Sequence, residues 1–301
     1  MSASAPVMLF ALPGNEALAE RLSASLNIAH QTLVFRRFPD GESYLRMEAD
    51  LRGVSVILVS TLMDPDARIP PLLFAADLAR DLGAVRVGLV CPYLCYMRQD
   101  QRFQPGEALT SKSFARWLSA HFDWLLTVDP HLHRYASLDE IYSLESGVVT
   151  AAPAIAEWIE THIEQPVLIG PDGESEQWIR AVAAPRQLPW RVFEKTRHGD
   201  RAVSMRLPDL AAIRAHQPVL IDDIISSGAT IAQATRHLRA AGMAAPVVIG
   251  VHGLHDERAL ELMREAGIAR LVCTNSVPTP QARIDLSALL AAPLRRLAGA
   301  P

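Results

Sequence analysis

Asp222 and Asp223 close an apolar run, Pro218-Val219-Leu220-Ile221, and lead through Ile224-Ile225 into Ser226-Ser227-Gly228-Ala229-Thr230. A small, hydroxyl-rich turn that opens a helix directly after a buried strand is a place to hold a phosphate. The helix N-terminus presents free backbone N–H groups and a partial positive charge. Ser226, Ser227 and Thr230 add hydroxyl donors, and Gly228, beside Ala229, lets the backbone curl round an anion. The two carboxylates would repel that anion. They suit sugar hydroxyls, a metal ion, or both. A phosphate cradle beside a reader of hydroxyls points to a phosphorylated sugar.

Other clusters carry complementary chemistry. Arg98-Gln99-Asp100-Gln101-Arg102 follows an apolar run, and its two arginines could chelate phosphate oxygens through bidentate contacts. The plainer alternative is a solvated loop with salt bridges to Asp100 and Glu107. In Thr127–Arg134, Asp129 and His131 end another apolar run, where a metal or nucleotide could meet them. The spacing of His131 and His133 also suits a transition metal, but zinc needs three or four ligands and no further His or Cys stands nearby. Asp172, in Gly170-Pro171-Asp172-Gly173-Glu174, could hold Mg2+ through oxygen ligands, or simply make a turn, as Asp-Gly pairs do. Glu194-Lys195-Thr196-Arg197-His198-Gly199-Asp200-Arg201 is a cationic loop of the kind that closes over a transferring phosphoryl group. Standing alone, it would read as an ordinary charged hairpin tip.

Strand–helix alternation must position these clusters. Strands are expected over Val7–Leu12, Val54–Ser60, Val85–Pro92, Trp124–Val128, Val167–Pro171, Val219–Asp222, Val247–Val251 and Arg270–Thr274. Helices are expected over Asn15–Leu26, Pro71–Leu82, Ser111–Ser119, Ala154–His162, Ser175–Val182, Thr230–Ala241 and Glu257–Ala266. Continuous rather than alternating apolar strands argue for parallel sheets covered on both faces. Ligands of such sheets sit at the carboxyl ends of strands, where the polar clusters fall. Leu33–Met47, with a central Pro39-Asp40-Gly41, breaks the pattern and reads as a hairpin or flap. The order of elements occurs twice, which gives two α/β units over 1–147 and 148–301. Pro293–Pro301 either frays or packs back on the first.

Composition narrows the class. The 301 residues are 50% hydrophobic, with Lys+Arg 29 against Asp+Glu 33 and a net charge of −4. This is a globular composition without the basic excess expected of a nucleic-acid partner. No apolar run approaches the roughly 18 residues needed to span a bilayer, and no signal peptide is evident. Cys91, Cys95 and Cys273 form no CxxC pair and read as buried thiols of a reducing cytoplasm.

Taken in order along nearly the whole chain, the clusters resemble the ribose-phosphate diphosphokinases, also called phosphoribosyl pyrophosphate (PRPP) synthetases. Phe38-Pro39-Asp40-Gly41-Glu42 resembles that family's flap, which contacts ATP adenine across a subunit interface. Arg98, Gln99, Asp100 and Arg102 resemble its ATP-phosphate loop. Asp129-Pro130-His131 resembles its Asp-x-His motif, near metal and ATP. Asp172 stands at its metal- and ribose-linked aspartate, and Lys195 and Arg197 match its catalytic flexible loop. Asp222 to Thr230 match its ribose 5-phosphate site. Ser226 follows the form of archaeal-type members, where the usual form has Asp. The surroundings of His131 and the Asp-Gly-Glu after Pro171 depart from the common pattern.

The resemblance implies two tandem phosphoribosyltransferase-like domains and a flap hairpin. It also implies ATP and ribose 5-phosphate as substrates, Mg2+ as cofactor, and a cytoplasmic homo-oligomer, dimer or higher. Alternatives are a diphosphokinase of another pentose phosphate, a phosphoribosyltransferase, and a non-catalytic regulatory paralogue. The last would be expected to lose the Lys195–Arg197 loop, which this chain keeps.

Overall fold

The computed structural model describes residues 5–198, 202–206 and 210–299. The chain forms two compact units, Met1–Thr150 with Ser287–Pro301, and Ala151–Leu286. The sequence places the division at 147/148 and lets Pro293–Pro301 fray or pack back on the first unit; the segment grouped with that unit begins at Ser287.

The first unit runs β1 (Val7–Ala11), α1 (Glu16–Leu26), β2 (Ala29–Arg37), β3 (Ser43–Met47), β4 (Ser55–Val59), α2 (Pro65–Asp81), β5 (Arg86–Cys91), α3 (Thr110–His121), β6 (Trp124–Val128) and β7 (Glu145–Val149). Among the described residues its sheet has the order β3-β2-β1-β4-β5-β6-β7. Neighbours are parallel except β2 and β3. The residues of β4 and β6 are buried throughout, as strands covered on both faces must be. Gly88 on β5 makes room for buried Trp124, since a Cβ there would sit 1.8 Å from the indole. β2 is used twice: Ala29–Thr32 pair with β1, and Leu33–Arg37 pair with β3 to make the flap hairpin.

The second unit runs α4 (Ala152–His162), β8 (Pro166–Gly170), α5 (Glu176–Ala183), β9 (Trp190–Val192), β10 (Glu194–His198), β11 (Ala202–Arg206), α6 (Leu210–Ile213), β12 (Gln217–Ile225), α7 (Ala229–Ala240), β13 (Val247–Gly253), α8 (Glu257–Ala266), β14 (Arg270–Thr274) and β15 (Ala282–Ile284). Its parallel sheet has the order β15-β14-β13-β12-β8-β9, and β10 and β11 form a separate antiparallel hairpin. The final helix, α9 (Ser287–Ala298), belongs to the first unit. Both units are thus mainly parallel sheets flanked by helices, with a hairpin near the N-terminus. No helix of the described residues is long and apolar enough to cross a membrane.

Some expected boundaries move. Pro70 and Pro71 lie inside α2, which begins at Pro65 rather than at Pro71. Proline lacks the N–H that would reach back four residues, and Arg37 of the flap supplies a donor instead, Nη2 to the Ala67 carbonyl at 3.0 Å. The strand expected over Val219–Asp222 continues to Ile225, so the paired aspartates sit within β12 rather than at its end. The parallel ladder with β13 holds them there, matching Asp222 to Gly250 and Ile224 to His252.

Candidate functional site

In the second unit, β12 delivers Asp222 and Asp223 into the turn Ser226–Gly228 and then into α7. Gly228 has φ +70°, the left-handed region that glycine enters without strain. A Cβ there would also meet the Ala259 carbonyl and Met263 Cγ, both at 3.0 Å, so the turn lies against α8. The Gly228 position offers no side-chain cap to α7; the Ala229 N–H reaches Ser227 Oγ at 3.5 Å, and the N–H groups after it are oriented for an anion. Within the turn, Ser227 N donates to Ser226 Oγ at 2.7 Å. Ala229 and Ser227 are exposed, Ser226 and Thr230 half-buried.

Asp223 N donates to Asp222 Oδ1 at 3.1 Å. Burial pushes the Asp222 carboxyl well above the usual range, and the charges of Asp223 and Asp172 push it further. Asp172, half-buried after β8, accepts from Glu174 N at 3.2 Å and caps a short 3-10 turn at Gly173–Ser175. The structure therefore brings both Asp172 and Asp223 into electrostatic range of Asp222. Among the described residues no three His, Cys, Asp or Glu groups are placed to hold a metal by themselves. Lys195 and Arg197 lie on β10, in register with Met205 and Val203 of β11; their side chains fall outside the described residues.

In the first unit, the loop after β5 is braced by its own residues. Leu94, Cys95 and Met97 are buried, while Arg98 and Arg102 are exposed. Tyr96 takes φ +60°, packs on Phe114 with ring centroids 5.3 Å apart, and bonds to the Asp66 carboxylate. That carboxylate raises the Tyr96 hydroxyl to about 12. Gln99 accepts from Thr110 Oγ1 at 3.2 Å. The Asp100 carboxylate is buried on Arg134. Arg102 Nε donates to the Glu107 carbonyl at 2.9 Å, and the Glu107 carboxylate takes the N–H groups of Phe103 and Gln104. Neither of the salt bridges weighed for this loop, from Arg98 or Arg102 to Asp100 or Glu107, is what fastens these acids.

Asp129, directly after β6, is buried with φ +37°, a strained conformation for a non-glycine residue. It turns the chain toward His131, half-buried and stacked on His133 with centroids 5.9 Å apart. In the flap, Phe38 N donates to the Glu42 carbonyl at 2.8 Å and Glu42 N to Asp40 Oδ1 at 3.2 Å. The Arg36 guanidinium lies 4.4 Å from the Phe38 ring centroid and 4.3 Å from that of Tyr44, which leaves Phe38 38% exposed.

Asp66, Arg134 and Tyr135 were not singled out from the sequence as site residues.

Comparison with known proteins extends the picture. Residues 7–121 match the family described as the N-terminal domain of ribose phosphate pyrophosphokinase, and residues 137–287 match the phosphoribosyl transferase domain. The chain is 35% identical to a ribose-phosphate pyrophosphokinase of Saccharolobus solfataricus, over 86% of this chain and 89% of that one. It is 31% identical to that of Methanopyrus kandleri, over 94% and 95%. Among solved structures, phosphoribosylpyrophosphate synthetase from Mycobacterium smegmatis superposes with a TM-score of 0.84 at 24% identity, covering 97% of this chain and 98% of the other. That last likeness speaks to the fold alone.

Proposed function

Because the chain belongs to the ribose-phosphate pyrophosphokinase family, we propose that it transfers the diphosphoryl group of ATP to the 1-hydroxyl of ribose 5-phosphate, giving PRPP and AMP. The observation that carries the acceptor is local. One strand, β12, sets two carboxylates a few residues before a left-handed glycine turn and a helix N-terminus. Backbone N–H groups of Ser226–Thr230 hold the 5-phosphate. Asp222 and Asp223 accept hydrogen bonds from the 2- and 3-hydroxyls and fix the ring.

In the first unit, the exposed Arg98 and Arg102 hold the ATP phosphates, with Gln99 and His131 beside them. The flap residues Phe38, Asp40 and Glu42 read the adenine of a neighbouring copy, so the chain works as a homo-oligomer. In the reaction the 1-hydroxyl oxygen bonds to the β-phosphorus as the bond from that phosphorus to the α-phosphate oxygen breaks. AMP leaves and the hydroxyl proton passes to solvent. Lys195 and Arg197 neutralise the charge that builds on the transferring group.

The donor set of Asp172, Asp222 and Asp223 is carboxylate oxygen, which suits Mg2+. That ion takes one or two carboxylates, keeps waters and completes its shell with substrate phosphates. The repulsion that Asp223 and Asp172 exert on Asp222 is what a divalent cation relieves. Asp172 would hold it, and it would supply charge neutralisation at the phosphates. His131, expected beside the metal as well as the nucleotide, remains a candidate for both.

The test is AMP release from ATP and Mg2+ over a panel of pentose phosphates. Ribose 5-phosphate should give AMP and PRPP at the highest kcat/KM. Lys195→Ala should lower kcat about a hundredfold or more and leave the KM for ribose 5-phosphate little changed. No AMP with any pentose phosphate, or an unchanged kcat in the variant, would sink the corresponding assignment.

A further inference from the structure

The loop that presents Arg98 and Arg102 is riveted at its middle to the turn that presents His131. Asp100 lies between the two arginines, and its side chain is 2% exposed. Arg134 Nη1 donates to both of its carboxylate oxygens, at 2.9 and 3.2 Å. The next residue repeats the link: Tyr135 donates its hydroxyl to the Asp100 carbonyl at 3.2 Å and meets Ser111 Oγ, on the first turn of α3, at 3.0 Å. Ser111 N in turn donates to the Gln99 carbonyl at 3.4 Å. Arg134 also reaches His133 Nδ1 at 3.3 Å, and its guanidinium lies 5.8 Å from the ring centroid of exposed Phe103.

A buried carboxylate stays buried only while its cation is present. The Arg134 side chain is 40% exposed, so the cation half of the pair reaches solvent while Asp100 stays buried. If Arg134 is lost, the loop can swing out and hydrate Asp100, carrying Arg98 and Arg102 with it, while both sheets stay intact.

From this geometry we infer that Arg134 is a positioning residue for the nucleotide. By clamping Asp100 it holds Arg98, Arg102 and His131 in one arrangement toward the ATP phosphates, and Asp100 serves as the clamp's anchor. The inference rests on the assignment of this loop to ATP.

Steady-state kinetics on the full chain separate it from a merely structural role. Arg134→Ala should raise the KM for ATP by roughly ten- to a hundredfold and leave the KM for ribose 5-phosphate within about twofold. Arg134→Lys keeps the charge, but its ammonium sits on a more flexible stem and lacks the planar guanidinium that also faces Phe103, so it should recover part of the loss. Tyr135→Phe should raise the same parameter by a smaller factor with an unchanged melting temperature. A lowered melting temperature with an unchanged KM for ATP, or equal rises for both substrates, overturns the inference. If Arg134→Ala does not fold, Tyr135→Phe decides, and a wild-type KM for ATP in that variant overturns it. If the wild-type chain makes no AMP, the functional reading fails instead. Calorimetric titration of ATP into wild type and Arg134→Lys then still judges the clamp, and equal Kd values reject it.

Discussion

Asp222 is a residue whose chemistry the fold changes. Its carboxyl is raised first by burial and then by the charges of Asp223 and Asp172. The unfolded acid loses its proton near 3.8, the folded one only at higher pH. Between those points the native state binds more protons, so this group's contribution to stability falls as pH rises. Asp222→Asn removes a carboxyl whose ionisation the site opposes, and also turns one of two charged acceptor oxygens for the sugar hydroxyls into an NH2 donor. In urea titrations of the ligand-free chain, the variant should be more stable than wild type at neutral pH and lose that advantage as pH falls toward 4. Its affinity for ribose 5-phosphate, read by calorimetry, should drop about ten- to a hundredfold, the value of a charged hydrogen bond. A variant less stable than wild type at neutral pH would contradict the sign. The pairing of aspartates with a small hydroxyl turn is readable from residue types alone. The raised carboxyl is not, because it depends on Asp172, fifty positions earlier in the chain, coming within electrostatic range.

At the scale of elements, the decisive piece is the junction of β12 and α7. Gly228 answers two demands there, a left-handed φ and contact with α8. Gly228→Ala should therefore destabilise the chain by about 1–3 kcal/mol in urea denaturation, and raise the KM for ribose 5-phosphate by displacing the N–H groups of the cradle. Unchanged stability would mean that the turn relaxes without α8. The glycine's place in the turn was legible in the sequence, as was the flap, whose Pro39-Asp40-Gly41 became the tip between β2 and β3. The length of β12 was not. Two adjacent acids look like a strand end, yet the parallel ladder with β13 keeps the backbone extended as far as Ile225, past the point at Leu220 where pairing with β8 stops. The start of α2 was hidden for a related reason. Prolines at 70 and 71 signal a break when read locally, and Arg37, thirty residues before the Ala67 carbonyl it bonds, supplies a missing donor.

At the scale of the molecule, α9 is the element that leaves its neighbours in sequence. It joins the first unit, where Leu290, Leu294 and Leu297 are buried. Arg86 Nη1 donates to the Leu297 carbonyl at 2.7 Å, and Gly147 of β7 leaves space for the Leu297 side chain. Leu294→Ala should cost about 2–5 kcal/mol in chemical denaturation, although the helix lies at the far end of the chain. A loss under about 0.5 kcal/mol, the range of surface changes, would mean that α9 is not part of the core. Local sequence was enough for the alternation of buried strands and helices, the paired acids before a small hydroxyl-rich turn, the cationic segments and the order of the motifs. Each of these is written in neighbouring residues, through apolar runs, turn formers and charge spacing. Tertiary structure alone decided that Arg134 clamps Asp100, that Asp172 raises Asp222, that Arg37 serves α2, and that the last helix completes the first unit. Each of these is a contact between positions distant in sequence. Burial creates the need for a partner, and only the folded chain determines which residue meets it.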